Sequence, residues 1–98
     1  MTVISRVYLC GRISGRCPKG CAEAFSEREA YWSAMGFEVV NPLKVTPYAP
    51  GKAWEEYMKD CLEVLVRCDY IAPEDGWGNS KGSCIEMRLA RELSIGVL

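Results

Sequence analysis

At 98 residues the chain is long enough for one domain with a modest core and too short for two. Its apolar and charged shares, 49% and 26%, are those of a globular protein, and a formal net charge of -1 gives no reason to expect DNA, RNA or an anionic membrane surface as partner. No apolar run approaches the length of a membrane span and the first ten residues carry no cleavage motif, so a soluble, cytoplasmic protein is expected.

Residues 3–10 are apolar and β-branched and stop at Gly11, the pattern of a buried first strand. A loop follows over residues 11–16, with Gly11, Arg12, Ser14, Gly15 and Arg16. Pro18 then allows a helix to start, helical spacing runs over residues 21–35 through Ala22, Phe25, Trp32 and Met35, and Gly36 stops it. Residues 37–40 read as a second strand closed by Asn41-Pro42. The proline-rich residues 43–52 read as a loop, and loops of that length are often functional. The next helix is expected over residues 54–67, with Trp54, Tyr57, Met58, Cys61, Leu62, Leu65 and Cys68 on its apolar face. Residues 69–72 make a third strand and residues 73–78 a turn-rich loop. A last helix over residues 83–93 precedes a fourth strand at residues 95–98.

Strand and helix alternate throughout. That predicts a single α/β domain: a small doubly wound, flavodoxin-like or Rossmann-like sheet of four parallel strands in the order 2-1-3-4, with helices on both faces. In such sheets ligands bind beyond the carboxyl ends of the strands where the order reverses, here between strands one and three.

The stretch Asn79-Ser80-Lys81-Gly82-Ser83-Cys84-Ile85-Glu86 holds the main candidates. On a helical wheel Ile85, Met87, Leu89, Ala90 and Leu93 define an apolar face, and Glu86 lies near its middle. A carboxylate there is costly unless it borders a polar cavity or finds a partner. Ser80 and Gly82 sit where a helix start favours an anion. Ser83-x-x-Glu86 also matches a capping box, and spacing alone ranks that cap ahead of a catalytic role. The loop with Gly11 and Gly15 is a tight turn or a backbone-lined anion or sugar pocket with Arg12 or Arg16 as charge partner. Tyr8, near the end of the first strand, is a core residue or a partner for Glu86. Asp60 lies at the edge of its helix's apolar face, Asp69 suits a structural hydrogen bond, and Trp77 is a lid or a loop anchor. Six cysteines without a C-x-x-C pair, in a chain without histidine, predict reduced thiols and no metal site. No cofactor is expected.

Tyr8-Leu9-Cys10-Gly11-Arg12-Ile13-Ser14-Gly15, Val39-Val40-Asn41-Pro42, Trp54-x-x-Tyr57-Met58, Cys68-Asp69-x-Ile71 and Gly76-Trp77-x-Asn79-Ser80-x-Gly82-x-x-x-Glu86 occur in that order. Across almost the whole chain this set resembles a family of short bacterial and phage proteins related to nucleoside 2-deoxyribosyltransferases and 2'-deoxynucleoside 5'-phosphate N-hydrolases. The resemblance implies cleavage of an N-glycosidic bond, with Glu86 as nucleophile and Tyr8 orienting it. At the position of Ser80 the nucleotide hydrolases have a serine that binds the 5'-phosphate, where the transferases have an aspartate that binds the sugar. It thereby favours a nucleotide over a nucleoside as the small-molecule partner. The remaining candidates for substrate contact are Gly11, Arg12, Ser14, Gly15, Asp60, Asn79 and Gly82. Two departures stand out. The acid that assists the departing base in those enzymes falls on Cys61, with Asp60 one residue and about 100° away on the helix, and Arg12 stands where many relatives have proline. A homodimer or higher homo-oligomer is expected to cover helix faces carrying Trp32, Trp54 and Met58.

Overall fold

The parallel sheet is built from four short strands, β1 (Arg6–Cys10), β2 (Glu38–Val40), β3 (Tyr70–Pro73) and β4 (Gly96–Val97), in the order β2-β1-β3-β4. This computed structural model describes residues 3–98. The helices are α1 (Pro18–Ala34), α2 (Pro42–Val45), α3 (Trp54–Leu65) and α4 (Lys81–Glu92), with a single 3-10 turn at Trp77–Asn79. Strand order and parallel pairing are those expected from the alternation of elements.

Side-chain alternation along β1 divides the core in two. Val7 and Leu9 pack with Cys21, Phe25 and Ala72 on the face covered by α1. Tyr8 and Cys10 pack with Cys61, Leu65, Met87 and Ala90 on the face covered by α3 and α4. β1 is central, with Tyr8 in register with Val40 on one side and Ile71 on the other. A strand covered on both faces must be apolar at every position, and residues 7–10 are fully buried.

Several element bounds differ from expectation, each for a local reason. The first strand starts at Arg6, since pairing begins opposite Glu38 and Tyr70, and it leaves Val3 and Ile4 exposed. α1 does begin at Pro18, where proline at a first helical position gives up no hydrogen bond. α1 closes on Gly36 at φ +96, which lets Phe37 N–H bond back to Trp32 O at 3.2 Å and sets their rings edge-to-face. Within the expected loop, Asn41 caps α2 by accepting from Leu43 N–H at 3.0 Å, so Asn41-Pro42 starts a helical turn as well as ending a strand. α3 stops at Leu65, and the third and fourth strands shift or shorten by a residue at their ends.

Asp69 has the structural role expected of it, accepting from Arg6 N–H at 2.9 Å. All six cysteines are free thiols. Among the described residues, no helix is long and apolar enough to cross a membrane. Trp32 is half-buried between Tyr31 and Phe37, and Trp54 and Met58, also half-buried, line a cavity.

Candidate functional site

Ser80, not Ser83, caps α4. Its hydroxyl accepts from Ser83 N–H at 3.2 Å and the helix begins at Lys81. The expected capping box is thereby overturned. Glu86 is the sixth helical residue, too far along to reach the orphan N–H groups of the first turn. The inward stripe also differs from the one read off the wheel: Ser83, Glu86, Met87 and Ala90 are buried, while Ile85 and Leu93 are exposed. The stripe that faces the sheet is the one that gives Glu86 a partner. Replacing Ser80 by alanine is expected to cost about 1 kcal/mol of stability through loss of the cap, measured by urea denaturation.

That partner is Tyr8. Its hydroxyl donates to Glu86 Oε2 in a buried hydrogen bond. Burial pushes the Glu86 carboxyl up from 4.5 to about 7, and hydrogen bonds from Tyr8 and Cys10 hold it from rising further. Burial, then the nearby Glu86 charge, raises the Tyr8 phenol well above 10, so it remains a donor throughout the neutral range. Cys10, whose thiol reaches Ser83 O at 3.8 Å, is raised to about 12 and Cys61 to about 11, both chiefly by burial. Both thiols stay protonated beside the carboxylate. Tyr8→Phe is expected to move the Glu86 titration further upward, because a donor to the charged form is lost, and carboxyl-carbon NMR of Glu86 across pH measures it.

Glu86 lines the inner wall of a cavity of about 590 Å³. Four segments enclose it. The loop after β1 brings Gly11, Arg12, Ile13 and Ser14. The segment after β2 brings Pro42, Leu43, Thr46 and Tyr48. α3 brings Trp54, Tyr57, Met58 and Cys61, and the approach to α4 brings Asn79, Ser80, Lys81, Gly82 and Ser83. Most of this lining is apolar, and polar groups concentrate at the start of α4. The Lys81 ammonium lies 4.5 Å from the centre of the Trp54 ring. Ser83 Oγ is buried and has no hydrogen-bond partner among the described residues, and Gly82 lies so close to Met58 that a Cβ would stand 3.1 Å from its Sδ.

Of the residues singled out in the sequence, Gly11, Arg12, Ser14, Asn79, Ser80, Gly82 and Glu86 share this cavity, with Tyr8 buried behind Glu86. Gly15 does not. It is exposed, at φ +75 with open space around it, because the loop needs a left-handed turn there. Asp60 does not reach the cavity either. Its carboxylate accepts from Lys52 Nζ at 2.6 Å and from Thr46 Oγ1 at 2.9 Å, interactions that lower its pKa, and Cys61 faces the cavity in its place. Trp77 packs beside the core with Arg91 over its ring, as an anchor rather than a lid.

Sequence reasoning missed the wall after β2. Proline density and length marked it as a loop of a kind that is often functional but named no residue in it, although Tyr57 pins it by accepting from Ala49 N–H at 2.8 Å and donating to Ala49 O at 3.1 Å. Among the described residues no group of three or more Cys, Asp or Glu is placed to hold a metal ion.

Residues 5–98 match the model of the domain of unknown function DUF4406. The chain belongs to that family. A search of curated proteins finds no match. The DUF4406 match runs from the first strand to the end of the chain, so it takes in every segment that walls the Glu86 cavity.

Proposed function

We propose that this DUF4406 domain cleaves the N-glycosidic bond of a nucleoside 5'-monophosphate, or transfers its deoxyribosyl group, with Glu86 as nucleophile. One observation carries the reading. Glu86 is a desolvated carboxylate on the wall of a mostly apolar cavity, oriented by the Tyr8 hydroxyl, with the start of α4 opening into the same cavity. An apolar chamber suits a heterocyclic base and a helix start suits a phosphate. The spacing of Ser80 and Glu86 matches that of the nucleotide N-hydrolases the sequence resembles.

In this reading the Glu86 carboxylate attacks the anomeric carbon. The C1'–N bond breaks, and the base leaves with the bonding electrons and takes up a proton. Water, or a second base, then attacks the glycosyl ester and frees Glu86. Tyr8 donates to Glu86 Oε2 and so fixes the orientation of the carboxylate. Incubation with the four deoxynucleoside monophosphates, with free base followed by chromatography, tests the proposal. Release by wild type and loss in Glu86→Gln supports it, and equal release by both removes Glu86 from the chemistry.

A second reading, a nucleotide-binding module with little turnover, is favoured by Cys61. Its thiol faces the cavity where the resemblance implies an acid, and a group raised to about 11 is a poor proton donor to a departing base. Thermal stabilisation by nucleotides without base release would select this reading.

A further inference from the structure

The Glu86 cavity is walled by the loop after β1, the segment after β2, α3 and the approach to α4. Between the loops that follow β1 and β3 lies a second, shallower and more open cavity of about 430 Å³, lined by Arg12, Arg16, Glu74, Asp75, Gly76 and Asn79, four of them exposed. In open parallel sheets that crevice is the usual ligand position.

The two cavities are neighbours. Arg12 and Asn79 line both, and the wall between them is thin: a Cβ on Gly11, which lines the first, would stand 3.0 Å from Glu74 Oε1, which lines the second. Their chemistry differs. The first is mostly apolar, with Arg12, Glu86 and the start of α4 among its polar groups. The second holds two guanidinium groups, two carboxylates and an amide, with Arg16 Nη1 paired to Glu74 Oε1 at 2.6 Å. That pair leaves Arg12, at the junction, outside every ion pair formed among the described residues.

We propose that the ligand is a nucleotide whose phosphate carries a second, sugar-containing arm, with the nucleoside in the Glu86 cavity, the phosphates at the junction of Arg12, Asn79 and the start of α4, and the second sugar between Glu74, Asp75 and Arg16. This rests on the nucleotide reading of the Glu86 cavity and extends its substrate from a nucleoside 5'-monophosphate to a nucleotide bearing a second sugar on its phosphate. A monophosphate would leave the second cavity empty. A bare diphosphate would bring its charge to Arg12 but also close to Glu74 and Asp75. Sugar hydroxyls, by contrast, donate to carboxylates and accept from a guanidinium and an amide, which is the donor and acceptor set this crevice offers.

Isothermal titration of the intact chain with two matched series, AMP, ADP and ADP-ribose, and UMP, UDP and UDP-glucose, tests the assignment. In at least one series the sugar-bearing member is expected to bind about tenfold tighter than both the monophosphate and the diphosphate. Asp75→Ala and Glu74→Gln are expected to remove that gain while monophosphate affinity stays within about twofold, since neither residue lines the Glu86 cavity. Equal affinities within each series, a diphosphate as tight as the sugar conjugate, or a gain that survives both substitutions would overturn it. Absence of binding by every member, together with no base release from deoxynucleoside monophosphates, would instead reject the nucleotide reading itself.

Discussion

Replacing Glu86 by glutamine is expected to abolish a pH-dependent loss of stability of about 3 kcal/mol that the wild-type chain shows between about pH 4.5 and pH 8. The carboxyl titrates at 4.5 when solvated and at about 7 in the fold, because burial penalises its charge more than the Tyr8 and Cys10 hydrogen bonds relieve it. Below 4.5 the group is neutral in both states and costs nothing extra. Between 4.5 and 7 the unfolded chain gives up a proton that the folded chain retains, so stability falls as pH rises. Above 7 both are ionised and the loss is complete. At about 1.4 kcal/mol for each tenfold change in proton affinity, the displacement corresponds to the figure given. Cys10 and Cys61 titrate at about 12 and about 11 and lie outside the window, and the lowered carboxyl of Asp60 acts below it. Urea denaturation at several pH values checks the expectation. Parallel wild-type and Glu86→Gln curves would show that the carboxylate is not desolvated.

The second large effect is on chemistry. If Glu86 is the nucleophile, Glu86→Ala and Glu86→Gln lose base release by a factor on the order of 10³ or more, since among the described residues no other carboxylate lines the cavity. Glutamine keeps the size of the side chain and an oxygen for the Tyr8 hydroxyl, so nucleotide affinity is expected to stay within a few-fold of wild type. That separation of turnover from binding is what a merely structural Glu86 would fail to show. The pH profile adds an independent check. Only the ionised carboxylate attacks, so kcat/KM for wild type is expected to rise with pH and level off above about 7, the value set by burial. A profile flat from pH 5 to 8 would place the reacting group elsewhere.

The fold was legible in the sequence because its signals are local. Each buried strand is a short apolar run ended by Gly11, Asn41-Pro42 or Pro73-Glu74, and α3 and α4 each carry a clear helical period. Alternation of the two then leaves few topologies, and the observed order is the expected one. Much of the site was legible for a related reason. Seven of its candidate residues lie in two short stretches, 11–14 and 79–86, at ends of elements where backbone groups are free. The parts not legible are those where one residue's role depends on another element. Asp60 and Cys61 are adjacent in sequence, and only the packing of α3 against Tyr8 turns the thiol inward and leaves the carboxylate to Lys52 and Thr46.

The sequence by itself determined the order of elements, the parallel sheet with two covered faces, and the stretch that brings Ser80 and Glu86 together, because periodicity and chain connectivity constrain these without reference to distant atoms. Only the tertiary structure decided which serine caps α4, which stripe of that helix faces inward, that the segment after β2 walls the cavity, and that a second polar cavity adjoins the first at Arg12 and Asn79. The physical reason is that each of these is settled by a partner far along the chain. Tyr8 stands 78 residues before Glu86, and its hydroxyl makes a buried carboxylate tolerable where a helical wheel could only mark it as expensive.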